Sequence, residues 1–140
     1  MTFEDQEGRI SSGRIKQIIL DQSRRAQVWH IGLALFIADL IAALYTNARH
    51  IPNRADTERD RFILSKGHAV LAVYAALFLK GWLTEDDLNT YCSDHSLLGV
   101  HPEHALRGVA FSTGLFGHGL SRESLVETAL NALSAREVAR

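Results

Sequence analysis

The stretch that decides the fold runs from residue 59 to residue 83 and reads RDRFILSKGHAVLAVYAALFLKGWL. Its short apolar run, FIL, predicts a strand over residues 61–64, and its long apolar run, AVLAVYAALFL, predicts a buried helix over residues 69–79. Ser65-Lys66-Gly67-His68 lies between the two runs. An ionisable imidazole and a glycine therefore stand where a strand turns into a helix, which is where open α/β folds bind their ligands.

Helical patterns precede this stretch. Residues 33–45, LALFIADLIAALY, are apolar on nearly every face, which predicts a buried helix with one carboxylate, Asp39, at a polar edge or in an ion pair. An earlier helix is predicted by apolar residues that recur at helical spacing, namely Ile15, Ile18 and Ile19. Residues 1–13 are polar and dotted with glycine, so we expect a loose tail there.

Further elements are predicted after residues 59–83. Thr84 with Asp87 three residues on is a capping-box signal for a helix over residues 85–92. Residues 109–111 predict a second short strand, and an amphipathic helix is expected from Ser121 onward, with an apolar face of Val126, Ala129, Leu130 and Leu133. The sequence thus predicts a helix-dominated α/β fold with a short, incomplete parallel sheet.

Composition narrows the class of protein. The chain has 140 residues, 46% of them apolar and 22% charged, which suits one domain with a real core. The net charge of −1 suggests neither a nucleic acid nor an anionic membrane surface as partner. Cys92 is the single cysteine, the first residues do not resemble a signal peptide, and no apolar run reaches the about 18 residues of a membrane span, so we expect a cytoplasmic protein.

Histidine and glycine occur together at three joints between predicted elements. They are His30-Ile31-Gly32, Gly67-His68 and the run from Gly114 to Gly119, and a further histidine, His101, stands in a loop. Glycine lets the backbone approach an anion, and a helix N-terminus supplies N–H groups, so the last run could hold a phosphate. Taken one at a time, each joint is also consistent with ordinary turn chemistry.

A zinc site is an alternative interpretation of one segment. Cys92, His95, His101 and His104 are ligand types that zinc accepts, and the two x2 spacings suit it. The five residues between the pairs are fewer than in common zinc modules. The other expectation for Cys92 is an inert, partly buried thiol.

Taken in order, these segments resemble the N-terminal, thiamine diphosphate-binding part of transketolase over residues 14–121. The similar stretches are residues 30–32 before an apolar helix, residues 59–68, residues 101–103 and residues 111–121. The resemblance implies a partial thiamine diphosphate-binding fold, magnesium as the usual metal, and transfer of a two-carbon ketol unit between sugar phosphates. The chain looks most similar to enzymes whose N-terminal and C-terminal halves are separate chains.

The resemblance also implies roles for single residues. His30 would contact the hydroxyls and carbonyl of the substrate, and His68 would lie beside the cofactor and the donor substrate. His101 would join them and stabilise or shuttle protons on the two-carbon intermediate. The cofactor would further be lined, partly through backbone groups, by Gly114, Leu115 and Phe116.

The sequence departs from the family at several points. Trp29 stands where the family usually has glycine, and could close the substrate entrance, and residues 114–117 read GLFG where Gly-Ser-Leu-Gly or Gly-Pro-Leu-Gly is usual. Residues 122–140 form a divergent amphipathic segment, and the sequence stops before the Gly-Asp-Gly motif and the asparagine that bind the metal. The glutamate that activates the cofactor belongs to another domain of the family.

Two interpretations follow. In the first, the chain is a transketolase section or subunit with no metal ligands of its own, inactive in isolation. A homo-oligomer, or a partner subunit carrying the pyrimidine-binding domain, would then supply the metal ligands and the activating glutamate. In the second, the chain is a truncated, non-catalytic interaction module. Under either, a sheet that stops after two strands would leave apolar helix faces open, so we expect self-association or a covering partner.

Overall fold

The computed structural model describes residues 10–47 and 62–99. These residues form four α-helices and one 3-10 turn, in the order α1 (Ser12–Ala26), α2 (Gly32–Asn47), the 3-10 turn (Gly67–Ala69), α3 (Val70–Leu79) and α4 (Glu85–Asn89). Helix dominates this part of the chain, as the sequence predicts.

The strand predicted over residues 61–64 is wrong at the three positions that the structure describes. Residues 62–64 are irregular, and no strand occurs within residues 10–47 or 62–99. A strand is stabilised by hydrogen bonds to a neighbouring strand, and the predicted neighbour, residues 109–111, lies outside the described residues. Phe62 instead packs its ring edge-on against Tyr45, with 5.8 Å between ring centroids. The parallel sheet stays a prediction.

Helix α1 begins within the segment that the sequence assigns to a loose tail. The Ser11 hydroxyl accepts a hydrogen bond from the Arg14 amide at 3.3 Å and caps the helix, which therefore starts at Ser12. The predicted helical spacing is confirmed, since Ile15 and Ile19 are fully buried. Residues 1–9 of the expected tail lie outside the described residues.

Helix α3 is the centre of the core. It contacts α1, α2 and α4, and nine of its ten residues are buried, so no face of it is left for solvent. The prediction of a buried helix after His68 is confirmed for α3, which the 3-10 turn introduces. Tyr74 in this helix packs edge-on against Tyr91, with 6.1 Å between ring centroids, and so joins the core to the segment after α4.

Helix α2 is buried on one face only. Ala38 and Ile41 are buried against the other helices, but Phe36 is 81% exposed and Leu40 is 59% exposed. The prediction of a helix is confirmed, and the prediction that it is buried on nearly every face is wrong. An all-apolar sequence cannot indicate which face its neighbours will cover, since it has no polar stripe.

Asp39 on α2 is the paired, exposed carboxylate that the sequence predicts. It accepts a hydrogen bond from the Ser12 hydroxyl, and both of its oxygens accept from Lys16 Nζ at 3.2 Å. The Ser12 hydrogen bond and, after it, Lys16 lower the pKa of Asp39 below its usual value. Because the carboxylate is 70% exposed, the pair orients α1 against α2 more than it stabilises them.

Helix α4 has the predicted start and an earlier end. The Thr84 hydroxyl accepts from the Asp87 amide at 3.1 Å and the Asp87 carboxylate accepts from the Thr84 amide at 2.9 Å, so the capping box is confirmed. The helix ends at Asn89 rather than near residue 92, with Thr90 as its C-cap, and Cys92 beyond it has a φ of 57°. Among the described residues, no helix is long and apolar enough to cross a membrane.

Candidate functional site

The connector between α1 and α2 carries the first candidate histidine. Helix α1 ends in a Schellman motif: the Val28 amide donates to the Ser23 carbonyl at 3.1 Å, and the Gln27 amide donates to the Arg24 carbonyl at 3.4 Å. Gln27 takes the left-handed conformation, with φ of 55°, where glycine is usual. The motif turns the chain sharply, and His30 follows it two residues after Val28.

Helix α2 begins at Gly32, two residues after His30. Its first turn is closed by a 2.9 Å hydrogen bond from the Leu35 amide to the Ile31 carbonyl. Ile31 has a hydrocarbon side chain that cannot accept a hydrogen bond from the helix, and the first turn contains no acidic residue. The N-terminus of a helix of this length carries a partial positive charge, so it suits an anion.

His68 reaches the same region from the other described stretch. It is the middle residue of the 3-10 turn, which the Ala69 amide closes by donating to the Lys66 carbonyl at 3.0 Å. Gly67 is buried beneath it while the imidazole is exposed. The buried helix α3 begins at Val70 and so holds the turn on a rigid base, as the alternation of apolar and polar segments in the sequence predicts.

The two histidines line one cavity. It has a volume of about 390 Å³, and the described residues that line it are His30, Gly32, Leu33 and His68. The structure therefore brings together two of the three predicted catalytic histidines, although 38 positions separate them in the sequence. We call this space the histidine cavity.

The lining of the histidine cavity suits a polyanion. Two imidazoles can donate hydrogen bonds or, when protonated, carry positive charge, and the start of α2 adds backbone N–H groups. The described lining contains no carboxylate that would repel a phosphate. Such a site can bind a diphosphate and place a proton donor or acceptor beside it.

An apolar groove adjoins the histidine cavity. It has a volume of about 290 Å³ and lies between the exposed face of α2 and residues 62–66. Leu33 lines both spaces, so they meet at this side chain. The sequence predicts Leu33 as part of a buried helix and not as a site residue. Its position in the first turn of α2 was the available signal. Side chains in a helix lean toward its N-terminus, so one in the first turn can reach the site beside it.

Other predicted site residues lie outside the described residues. They are His101, Gly114, Leu115 and Phe116. Trp29, the residue expected to close the entrance, is 76% exposed and is not among the described residues that line the cavity.

Two of the four candidate zinc ligands lie within the described residues. Cys92 and His95 are both exposed and both have positive φ, while His101 and His104 lie outside the described residues. Cys92 is therefore not the partly buried thiol that the sequence suggests. Within the described part of the chain, no group of three or more histidine, cysteine or acidic side chains is placed to hold a metal ion.

Comparison with known proteins gives a family match over most of the chain. Residues 8–139 match the family described as transketolase, thiamine diphosphate binding domain. The chain is 33% identical over 114 residues to a subunit of the apulose-4-phosphate transketolase of Phocaeicola vulgatus, a match that covers 80% of this chain and 41% of that protein.

Longer relatives match as well. The transketolase of Treponema pallidum is 39% identical over 111 residues, which cover 76% of this chain and 17% of that protein. Transketolase 2 of Vibrio parahaemolyticus is 32% identical over 126 residues, which cover 87% of this chain and 19% of that protein. The chain thus spans less than half the length of these relatives.

Proposed function

Because this chain belongs to the transketolase family and matches its thiamine diphosphate binding domain, we propose that it is the N-terminal section of a transketolase that acts with a partner chain. The reaction would move a two-carbon ketol unit between sugar phosphates in the cytoplasm. The observation that carries the proposal is the histidine cavity, where His30 and His68 meet beside the N-terminus of α2.

The described residues fit the diphosphate of the cofactor. His68 and the backbone N–H groups at the start of α2 would bind its phosphate oxygens. His30, in the connector just before α2, would orient a hydroxyl or the carbonyl of the sugar and exchange a proton with it. Bound thiamine diphosphate would supply a thiazolium carbon as the nucleophile. His101, Gly114, Leu115 and Phe116 would complete the lining.

A partner chain would complete the site. Magnesium would offset the negative charge of the diphosphate, and that partner would supply the residues that hold the metal and the glutamate that activates the cofactor. Two observations support a shared site: the apolar groove meets the histidine cavity at Leu33, and one relative bears the name of a subunit. A second copy of this chain or a chain carrying the pyrimidine-binding domain would cover the groove.

Calorimetric titration of the purified chain with thiamine diphosphate and magnesium tests the proposal. We expect saturable but weak binding and no turnover, because the partner would supply both the magnesium ligands and the activating glutamate. His68→Ala should weaken the affinity about tenfold or more, since a hydrogen bond to a charged group is lost, and His30→Ala should leave cofactor binding closer to wild type.

His95→Ala is the matched control, because this histidine is exposed and lies outside the histidine cavity. Equal affinity in the His68 and His95 variants would refute the assignment of the cavity. Absence of binding by the wild-type chain, both alone and with added partner, would favour the non-catalytic interaction module.

A further inference from the structure

We infer that Ser23 is a positioning residue: its hydroxyl holds the Val28 carbonyl and so fixes the connector that carries His30 to the histidine cavity. The inference deepens the proposed function and rests on it, since the position of His30 matters for catalysis only if His30 meets the substrate. Ser23 itself lies on α1 and is not among the described residues that line the cavity.

The Ser23 hydroxyl and the Ser23 carbonyl each hydrogen-bond to the backbone of Val28. Ser23 is only 3% exposed, and among the described residues only Gln22 is another buried polar side chain. Its hydroxyl donates a hydrogen bond to the Val28 carbonyl, and its own carbonyl accepts from the Val28 amide at 3.1 Å. Both backbone polar groups of Val28 are thus bound to one residue.

The other end of the connector is anchored too. The Ile31 amide donates to the Trp29 carbonyl at 2.9 Å, and the Ile31 carbonyl accepts from Leu35 at 2.9 Å. Only Trp29 and His30 lie between the two anchored residues. Because the Val28 carbonyl belongs to the peptide plane that leads into Trp29, releasing it would let that plane rotate and would move His30 at the edge of the cavity.

The backbone motif alone is a weak anchor in this chain. Its left-handed position is held by Gln27, with φ of 55°, although a residue with a side chain is strained there. The buried hydroxyl adds the bond that the strained motif needs. We therefore expect the loss of this one hydroxyl to loosen residues 28–31 while the helices on either side stay intact.

Backbone ¹⁵N order parameters of the full chain, without ligand, test this expectation. In Ser23→Ala, the order parameters of residues 28–31 should fall from about 0.85 to below about 0.6, and those of α1 and α2 should not change. Ser12→Ala is the matched control, because it removes a hydroxyl from the same helix at the end where Ser12 binds Asp39. Ser23→Thr restores the hydroxyl and should restore the order parameters.

A second variant covers the case in which Ser23→Ala folds poorly. Gln27→Gly relieves the strained position, so the double variant Ser23→Ala/Gln27→Gly should fold, and its connector should still be more mobile than that of Gln27→Gly alone. Unchanged order parameters at residues 28–31 in a folded Ser23→Ala or in the double variant would overturn the inference.

Substrate kinetics with the partner chain give the functional readout. Ser23→Ala should lower kcat about tenfold with little change in the affinity for thiamine diphosphate, because His68 remains in place. If wild-type chain binds no cofactor, the proposed function fails, while the order parameters still decide whether Ser23 holds the connector. A loosened connector with wild-type kcat would refute the positioning role.

Discussion

Leu40 and Ile41 are neighbours in α2 with opposite surroundings. Leu40 is 59% exposed, whereas Ile41 is 1% exposed and belongs to the core cluster with α1 and α3. The two side chains contain the same number of atoms. A difference in the stability lost when each is replaced by alanine therefore mainly reflects how deeply each is buried.

Replacing each by alanine should give clearly different results. Ile41→Ala should lower the free energy of unfolding by about 3 kcal/mol, because it removes buried groups and leaves a cavity. Leu40→Ala should change it by less than about 1 kcal/mol, since alanine also has a good helix propensity. Urea denaturation of both variants measures the difference. Equal losses would mean that α2 packs on a different face.

At the scale of single residues, sequence reasoning places some features and misses others. The paired state of Asp39 is predictable because a carboxylate in an apolar helix needs a partner or solvent. The bond from Ser23 to Val28 is not, because a serine near a helix end can bind many backbone groups. Gln27 gives no signal for a left-handed position, since glycine and asparagine are the usual residues there.

At the scale of elements, α4 depends on its capping box. Thr84 and Asp87 satisfy each other's backbone amides, and this exchange is predictable because it needs only residue types at a fixed spacing. A five-residue helix has little other stability of its own, so its first turn decides whether it forms.

The cap also makes α4 sensitive to acid. Hydrogen bonds from the Thr84 amide and, after it, the Thr84 hydroxyl lower the pKa of Asp87 below its usual value of 3.8. A group with a lowered folded-state pKa stabilises the fold above its ordinary pKa, and this stabilisation is lost as the pH falls through the lowered value.

Thr84→Ala should therefore lower the free energy of unfolding by about 1 kcal/mol at neutral pH. The difference between the variant and wild type should shrink in part as the pH falls from the usual pKa of Asp87 through its lowered value, because protonation weakens the hydrogen bond from the Thr84 hydroxyl to the carboxylate, which only wild type makes. Thermal unfolding at several pH values measures this difference in the free energy of unfolding. Ser93→Ala is the control, because it removes an exposed hydroxyl outside α4. If the difference in unfolding free energy between Thr84→Ala and wild type stayed constant at acid pH, the Asp87 carboxylate would not contribute to it.

The short strand is the element that sequence reasoning places wrongly. The run FIL has the residue types of a strand, but a strand exists only with a partner to complete its hydrogen bonds. The long helices need no such partner, because their backbone bonds are internal. Local sequence therefore predicts α1, α2 and α3 well and cannot establish the state of residues 62–64 by itself.

At the scale of the whole molecule, α2 presents an exposed apolar face within the described part of the chain. Phe36 is 81% exposed, and together with Leu40 it lines the groove that adjoins the histidine cavity. A contiguous exposed apolar patch of this kind is typical of a surface that binds a partner. Whether a helix face will be covered by another chain is not encoded in its own periodicity, so sequence alone could predict only that some face would be open.

Phe36→Glu should reduce self-association or partner binding while leaving the fold intact. A charge placed in the groove would be desolvated on association, whereas in the free chain the side chain points into solvent. Light scattering at micromolar concentration, with the melting temperature as a check on folding, measures the effect. Leu20→Glu is the control, since Leu20 is an exposed apolar residue of α1 outside the groove. Equal molar mass in wild type and Phe36→Glu would contradict self-association through this groove.

The burial of α3 on every face has a consequence for biosynthesis. Helices α1 and α2 leave the ribosome before α3, so the parts of their apolar faces that α3 covers stay exposed until that helix has been made. During that interval the nascent chain is a hairpin of two helices whose apolar surface toward α3 is uncovered. This nascent hairpin is the form of the chain in which a chaperone would have the most to bind, and slowing translation across residues 48–69 would lengthen its exposure.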